Sequence, residues 1–138
     1  MKLSSDTISI LKNYAAINSN MVFRPGNEIK TMAEAKNILA SATVAEEFPS
    51  TPVGIYDLNE FLSAISMFSD PELEFADDMN SVRIKEGKRS VRYFFSDPQI
   101  LTAPTKDIKM PSPELVFDMT ANDLSTIKKA ASTLSVPD

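Results

Sequence analysis

Apolar and polar positions along the chain switch period at three places, and each switch reads as a short extended run passing into a capped helix. The fullest case is VGIYDLNEFLSAISMF, from Val53 to Phe68. Val53, Ile55 and Tyr56 form a short apolar run, and Asp57 can cap the helix that follows, with Glu60 at the third helical position. Leu58, Phe61, Leu62, Ile65 and Phe68 then recur at helical spacing, leaving Asn59, Glu60, Ser63 and Ser66 for the opposite face. At the start of the chain, Lys2 and Leu3 read as a short strand. A helix follows, opened by Ser4 or Ser5 with Asp6 in its first turn. Its inner face is predicted to be Ile8, Leu11, Tyr14 and Ala15, and its outer face Ser5, Ser9, Lys12 and Ala16. The third case is ELVFDM, read as a strand, with Thr120 as cap and Asp123 three residues on. There Leu124, Ile127, Ala131 and Leu134 share one face.

Between these points the pattern shortens to period two. MVFRP, EIKTM and KNILASATV are predicted to be antiparallel strands, separated by Pro25-Gly26-Asn27 and by the Met32 to Ala35 region. AEEFPSTP reads as an acidic, proline-bearing lead into Val53. After Phe68, the runs ELEFA, SVRIKEG and RSVRYFF predict three more strands, with turns at Asp77 to Asn80 and Glu86 to Lys88. From Asp97 to Pro113 the prolines 98, 104, 111 and 113 predict an extended connector. The expected organisation is an α+β domain over residues 1–102, a connector over 103–113, and the start of a second, incomplete domain over 114–138. The first two strand-to-helix transitions are each followed by a run of strands, whereas the third is followed by only a few residues. This predicts either a truncated chain or one that buries its last helix by association.

Composition removes several chemistries. With 138 residues, 43% hydrophobic and 24% charged, the chain is long enough to bury a core. It contains no cysteine and no histidine, so disulfides, thiolate nucleophiles and the usual metal ligand and general base are all missing. Three unclustered glycines leave no phosphate-binding loop and no dinucleotide fingerprint, and no cofactor or metal is expected. The adjacent carboxylates Glu46-Glu47 and Asp77-Asp78 point apart on a strand or into solvent in a turn, which does not set an acid and a base across a substrate. The chain is not expected to be an enzyme. No apolar run reaches membrane length and no secretory leader pattern opens the chain, so a cytoplasmic location away from membranes is expected. The net charge of -5 speaks against a surface that grips nucleic acid everywhere. The carboxylates nevertheless gather in turn-like stretches, while several lysines fall on predicted helices.

Four stretches carry a family resemblance: MKLSSDTISILKNYAAIN, VGIYDLNEFLSAIS, KRSVRYFFSDP, and LTAPTKDIKMP followed by the capped helix. In order and spacing they resemble the DNA polymerase sliding clamp of T-even-type bacteriophages. The resemblance spans the chain and covers that clamp's first domain, its connector and the start of its second domain. It implies a processivity factor without enzymatic activity: a homotrimeric ring with helices lining a channel around duplex DNA and antiparallel sheets outside. An ATP-driven clamp loader would place the ring on DNA, and a DNA polymerase would tether itself through a C-terminal peptide. On this resemblance Lys12, Lys128 and Lys129 face DNA, and small residues such as Ser5, Ser9, Asn59 and Ser63 keep the wall smooth. Ser5 stands where the familiar clamp carries a lysine, which implies a less positive channel near the first helix. Phe94 takes the place of an aromatic residue at the subunit interface. Ile108, Met110 and Pro111 border the region that receives partner peptides, or else pin the connector to its own domain.

Arg89, Arg92, Tyr93, Phe94 and Phe95 mix cations with aromatic rings in the manner of a single-strand stacking surface. Strand alternation accounts for them more simply, with Val91, Tyr93 and Phe95 on one side and Arg92 and Phe94 on the other. A different class of function also fits the pattern: a free-standing interaction module of the same fold that binds a peptide and never encircles DNA. Lysines on the helix faces would favour the clamp, and an acidic helix surface would favour the module.

Overall fold

The computed structural model describes residues 1–104 and 112–135, and the chain divides into two compact units, Met1–Lys106 and Asp107–Asp138. The first unit holds two helices, α1 (Ser5–Ile17) and α2 (Leu58–Ser66). Its strands are β1 (Met21–Phe23), β2 (Gly26–Met32), β3 (Leu39–Phe48), β4 (Val53–Ile55), β5 (Glu72–Phe75), β6 (Ser81–Glu86) and β7 (Arg89–Phe94). All pairing is antiparallel: β1 with β4, β2 with β3, and β5-β6-β7 in that order. The expected α+β class is what the protein shows. The helices touch each other, α1 rests on β2 and β3, and α2 rests on β7, so each helix is backed by a sheet.

Local chemistry explains the helix limits. Ser4 caps α1 by accepting a hydrogen bond from the Thr7 N–H at 3.2 Å, and Asn18 ends it in extended conformation, donating its backbone N–H to Tyr14 O at 2.9 Å. Asp57 caps α2 by accepting from the N–H groups of Asn59 and Glu60. Leu58, Phe61, Leu62 and Ile65 are buried, as their spacing predicts, and Phe68 is half-buried. They meet Leu11 and Tyr14 of α1 and Phe23, Ile29, Ile55, Leu73, Val82 and Ile84 of the sheets in one core. Phe23 and Phe48 stack within it at 4.3 Å. In β7 the period-two reading holds: Tyr93 and Phe95 turn inward against Phe61 and Phe75, while Arg92 and Phe94 are exposed. A stacking platform for single strands therefore loses two of its rings to the core.

Several expectations need correction. Lys2 and Leu3 form no strand. Instead Met1 exchanges hydrogen bonds with Leu73, its ammonium donating to Leu73 O at 2.9 Å and its carbonyl accepting the Leu73 N–H at 2.7 Å. On α1 the buried positions are Thr7, Leu11 and Tyr14, with Ile8 and Ala15 only half-buried. Thr7 goes inside because a carboxylate waits for it: Glu46 Oε2 accepts from Thr7 Oγ1 at 2.5 Å, and Glu46 Oε1 accepts from the Ser4 N–H. AEEF is accordingly the end of strand β3 and no acidic loop. Tyr56, read as part of an apolar run, is 65% exposed. The connector does not begin extended: Pro98–Ile100 form a 3-10 turn, and Leu101 and Pro104 are buried on the first unit.

In the second unit, α3 (Ala121–Leu134) carries the full capping box, with the Asp123 N–H donating to Thr120 Oγ1 and the Thr120 N–H donating to Asp123 Oδ2. ELVFDM ahead of it is not a strand, because no described segment offers it a ladder to join. Leu115, Val116 and Phe117 are each more than two-thirds exposed, and Leu124, Ile127 and Leu134 on α3 are also exposed.

Candidate nucleic-acid interface

The face that α1 and α2 turn away from the sheets is built almost entirely from small polar side chains. Ser5, Ser9, Lys12, Asn13 and Ala16 are exposed on α1, and Asn59, Glu60, Ser63 and Ser66 on α2. Where the helices meet, a shallow groove brings Lys12 of α1 together with Asn59, Leu62, Ser63 and Ser66 of α2.

Three of the side-chain donors on this face turn back on their own helices. Ser63 Oγ donates to Asn59 O and Ser66 Oγ to Ser63 O, both at 2.7 Å, and Asn13 Nδ2 donates to Ser9 O at 3.0 Å. The hydroxyls of Ser63 and Ser66 thus fold back on the backbone of α2. Lys12 forms no ion pair among the described residues and is the one cation on either helix. Glu60 is exposed on the same face, which therefore carries one carboxylate and one ammonium. It is smooth and close to neutral.

On α3, Lys128 and Lys129 are exposed, and the single carboxylate of that helix, Asp123, is tied into the cap. The hydroxyl and N–H of Thr120 hold the Asp123 carboxyl below its ordinary pKa. Lys12 and the pair Lys128 and Lys129 belong to different compact units.

Phe94 is 69% exposed at the outer edge of the β5-β6-β7 sheet, where β7 has no further strand beside it among the described residues. Arg92 shares its face, and Arg83 stands directly opposite Arg92 across the β6-β7 ladder. Two like charges in register repel, and Glu74, opposite Arg83 across the β5-β6 ladder, offsets part of that repulsion. Ile108, Met110 and Pro111 lie outside the described residues.

No protein-family profile matches the sequence. Individual proteins do. The sliding clamp of Vibrio phage KVP40 is 33% identical over 142 residues, covering 100% of this chain and 63% of the phage protein. The sliding clamps of Escherichia phage RB69 and Enterobacteria phage T4 are 34% and 33% identical over 137 residues, each covering 99% of the chain and 59% of the relative. The chain is similar to the phage sliding clamps along nearly its whole length. It spans about three-fifths of the length of these relatives. Its α+β architecture, with helices laid side by side over antiparallel sheets, is the sliding-clamp arrangement that the sequence led us to expect.

Two groups of residues in this chain escape a local reading of the sequence. The Thr7–Glu46 pair joins positions 39 residues apart, and Asn18 and Asn20 bind Thr102 across more than 80. A serine, threonine or asparagine at a helix end signals a cap and nothing about such distant partners.

Proposed function

We propose that the chain is sliding-clamp sequence that works as part of a ring around duplex DNA. The observation that carries this reading is the similarity to three phage sliding clamps along essentially the whole chain. In the ring, the polar faces of α1 and α2 look toward DNA, and the sheets form the outer wall. Residues 1–102 serve as one clamp domain, 103–113 as the connector, and 114–138 as the beginning of a second domain. Lys12, with Lys128 and Lys129 on α3, meets phosphates without reading bases, which lets the ring slide. Phe94, on the open edge of β7, meets the next subunit of a trimer, and the region of Ile108, Met110 and Pro111 receives partner peptides. The partners are duplex DNA, a DNA polymerase held for processive synthesis, and an ATP-driven loader, in the cytoplasm of an infected bacterium. The ring performs no chemistry, and no helix among the described residues is long and apolar enough to cross a membrane.

One observation favours a second reading. The α1–α2 face carries Glu60 against Lys12 and is close to neutral, which suits a peptide-binding module of clamp fold better than a strongly cationic channel. Topology separates the two. The chain is incubated with a phage clamp loader, ATP and nicked circular plasmid, and retention is followed by gel filtration before and after linearisation. A ring stays on the circle and runs off the linear form. Equal retention on both forms refutes encirclement, and binding of a polymerase C-terminal peptide with no retention on either form supports the module.

A further inference from the structure

Thr102 is gripped by side chains on both of its backbone polar groups. Asn18 Nδ2 donates to its carbonyl at 2.8 Å, and its N–H donates to Asn20 Oδ1 at 3.1 Å. The two amides are themselves locked from behind. Asn18 Nδ2 also donates to Met32 O at 2.8 Å, Asn18 Oδ1 accepts from the Asn20 N–H at 2.8 Å, and Asn20 Nδ2 donates to Tyr56 O at 2.7 Å. Asn18 is 4% exposed, so it is a buried amide whose oxygen and nitrogen are both in use.

The chain on either side of Thr102 is attached sparingly. Upstream, the Ser96 N–H donates to Gly54 O at 2.8 Å in an isolated bridge. A Cβ at position 54 would stand 2.5 Å from Ser96 O and 2.7 Å from Leu101 Cδ1, so the missing side chain is what lets this segment lie flat on β4. Downstream, Arg24 Nη2 donates to Pro104 O at 3.1 Å. No continuous ladder joins residues 96–104 to the sheets.

We propose that residues 96–104 form a latch that opens as a unit, ahead of the helices and sheets, with Asn18 as its catch. The chemistry favours separate opening because two side-chain amides, one guanidinium, a single isolated bridge and one leucine hold the segment, whereas the rest of the unit is held by ladders and a shared core. Asn18 also ends α1 and holds the carbonyl at the end of β2. Traction on the chain beyond residue 104 therefore reaches Arg24 first, through Pro104, and then the last turn of α1, through Thr102.

Amide hydrogen exchange of the whole chain tests this with two chemically identical substitutions. Asn18→Asp sets a carboxylate against the carbonyls of Thr102 and Met32 while still accepting the Asn20 N–H. Asn20→Asp keeps the acceptor for the Thr102 N–H and loses only the donor to Tyr56. The latch predicts that Asn18→Asp speeds exchange at Ser96 and Thr102 about tenfold or more, the effect of losing one or two hydrogen bonds. Amides in α2 and β6 should keep their protection, and Asn20→Asp should leave Thr102 near its original rate. The proposal is overturned if Asn18→Asp leaves Thr102 unchanged, if it accelerates the whole first unit alike, or if the two variants behave the same. Should Asn18→Asp fail to fold, Arg24→Ala removes a part-buried contact with the segment from an exposed residue. It should still raise exchange at Thr102 by a few-fold, about what one weakened attachment allows, and no rise would sink the latch.

Discussion

Replacing Glu46 with glutamine should destabilise the first unit by a pH-dependent amount. Glu46 is 9% exposed and receives the Ser4 N–H and the Thr7 hydroxyl at the start of α1. Burial pushes its pKa up, but the hydroxyl of Thr7 and the N–H of Ser4 together outweigh burial, and the carboxyl sits below its ordinary value. Hydrogen bonds to a charged group are stronger than neutral ones by about 1 kcal/mol each, so two of them lose about 2 kcal/mol. An anion at a helix N-terminus adds about 0.3–1 kcal/mol. The amide offsets part of this because it costs less to bury than a carboxylate. A net loss of about 1–2 kcal/mol at neutral pH follows from these terms. The sign with pH is fixed: a depressed carboxyl stabilises the fold fully above its unfolded pKa, near 4.5, and that contribution fades as pH falls through the folded value. Urea titrations of both proteins from neutral pH downward should therefore show a gap that closes in acid. Thr7→Val tests the same bond, and the double variant should fall short of additivity by about 1 kcal/mol. A gap under about 0.5 kcal/mol at neutral pH, or one that stays constant into acid, would refute the reasoning.

Other expectations can be checked separately. Lys12→Ala should weaken DNA binding equally on unrelated duplexes and lower the slope of log K against log salt by about 0.9, read by fluorescence anisotropy; a sequence-selective loss contradicts a phosphate contact. Phe94→Ala should reduce self-association in light scattering while leaving the melting temperature unchanged, since the ring is exposed. Thr120→Ala should cost α3 about 1 kcal/mol of helix stability, seen as lost ellipticity at 222 nm. The Asp123 side of that cap should weaken in acid, because a depressed carboxyl gives up its contribution as pH falls through its folded pKa. Unchanged helicity in both experiments would mean that the cap is idle.

What the sequence made legible was whatever repeats within a few residues. The inner face of α2, the β5-β6-β7 meander and the caps at Asp57 and Thr120 follow from period and capping chemistry alone, which narrows the first cap to Ser4 or Ser5, and the structure places it at Ser4. ELVFDM misled because a strand is defined by its neighbour, and an apolar run of strand-forming residues cannot announce that none is there. Glu46 misled because a charge in a polar run reads as solvent-exposed until its partners, Ser4 and Thr7, are brought in from the far end of a helix. For the candidate interface, the exposure of Lys12 was readable. That the serines beside it spend their hydroxyls on their own helix was not, since a serine in a helix looks the same whether its proton points outward or back.

The exposed apolar residues of this chain set terms for handling it. Phe94, Leu115, Val116, Phe117, Ile127 and Leu134 all stand more than half open to water, and the edge of β7 offers unpaired backbone beside the first of them. At neutral pH a net charge of -5 keeps copies apart. Near the isoelectric point of about 4.8 that repulsion vanishes while every sticky surface remains. Turbidity should therefore peak near that pH, and acid unfolding will report colloidal behaviour instead of folding unless the protein is kept dilute.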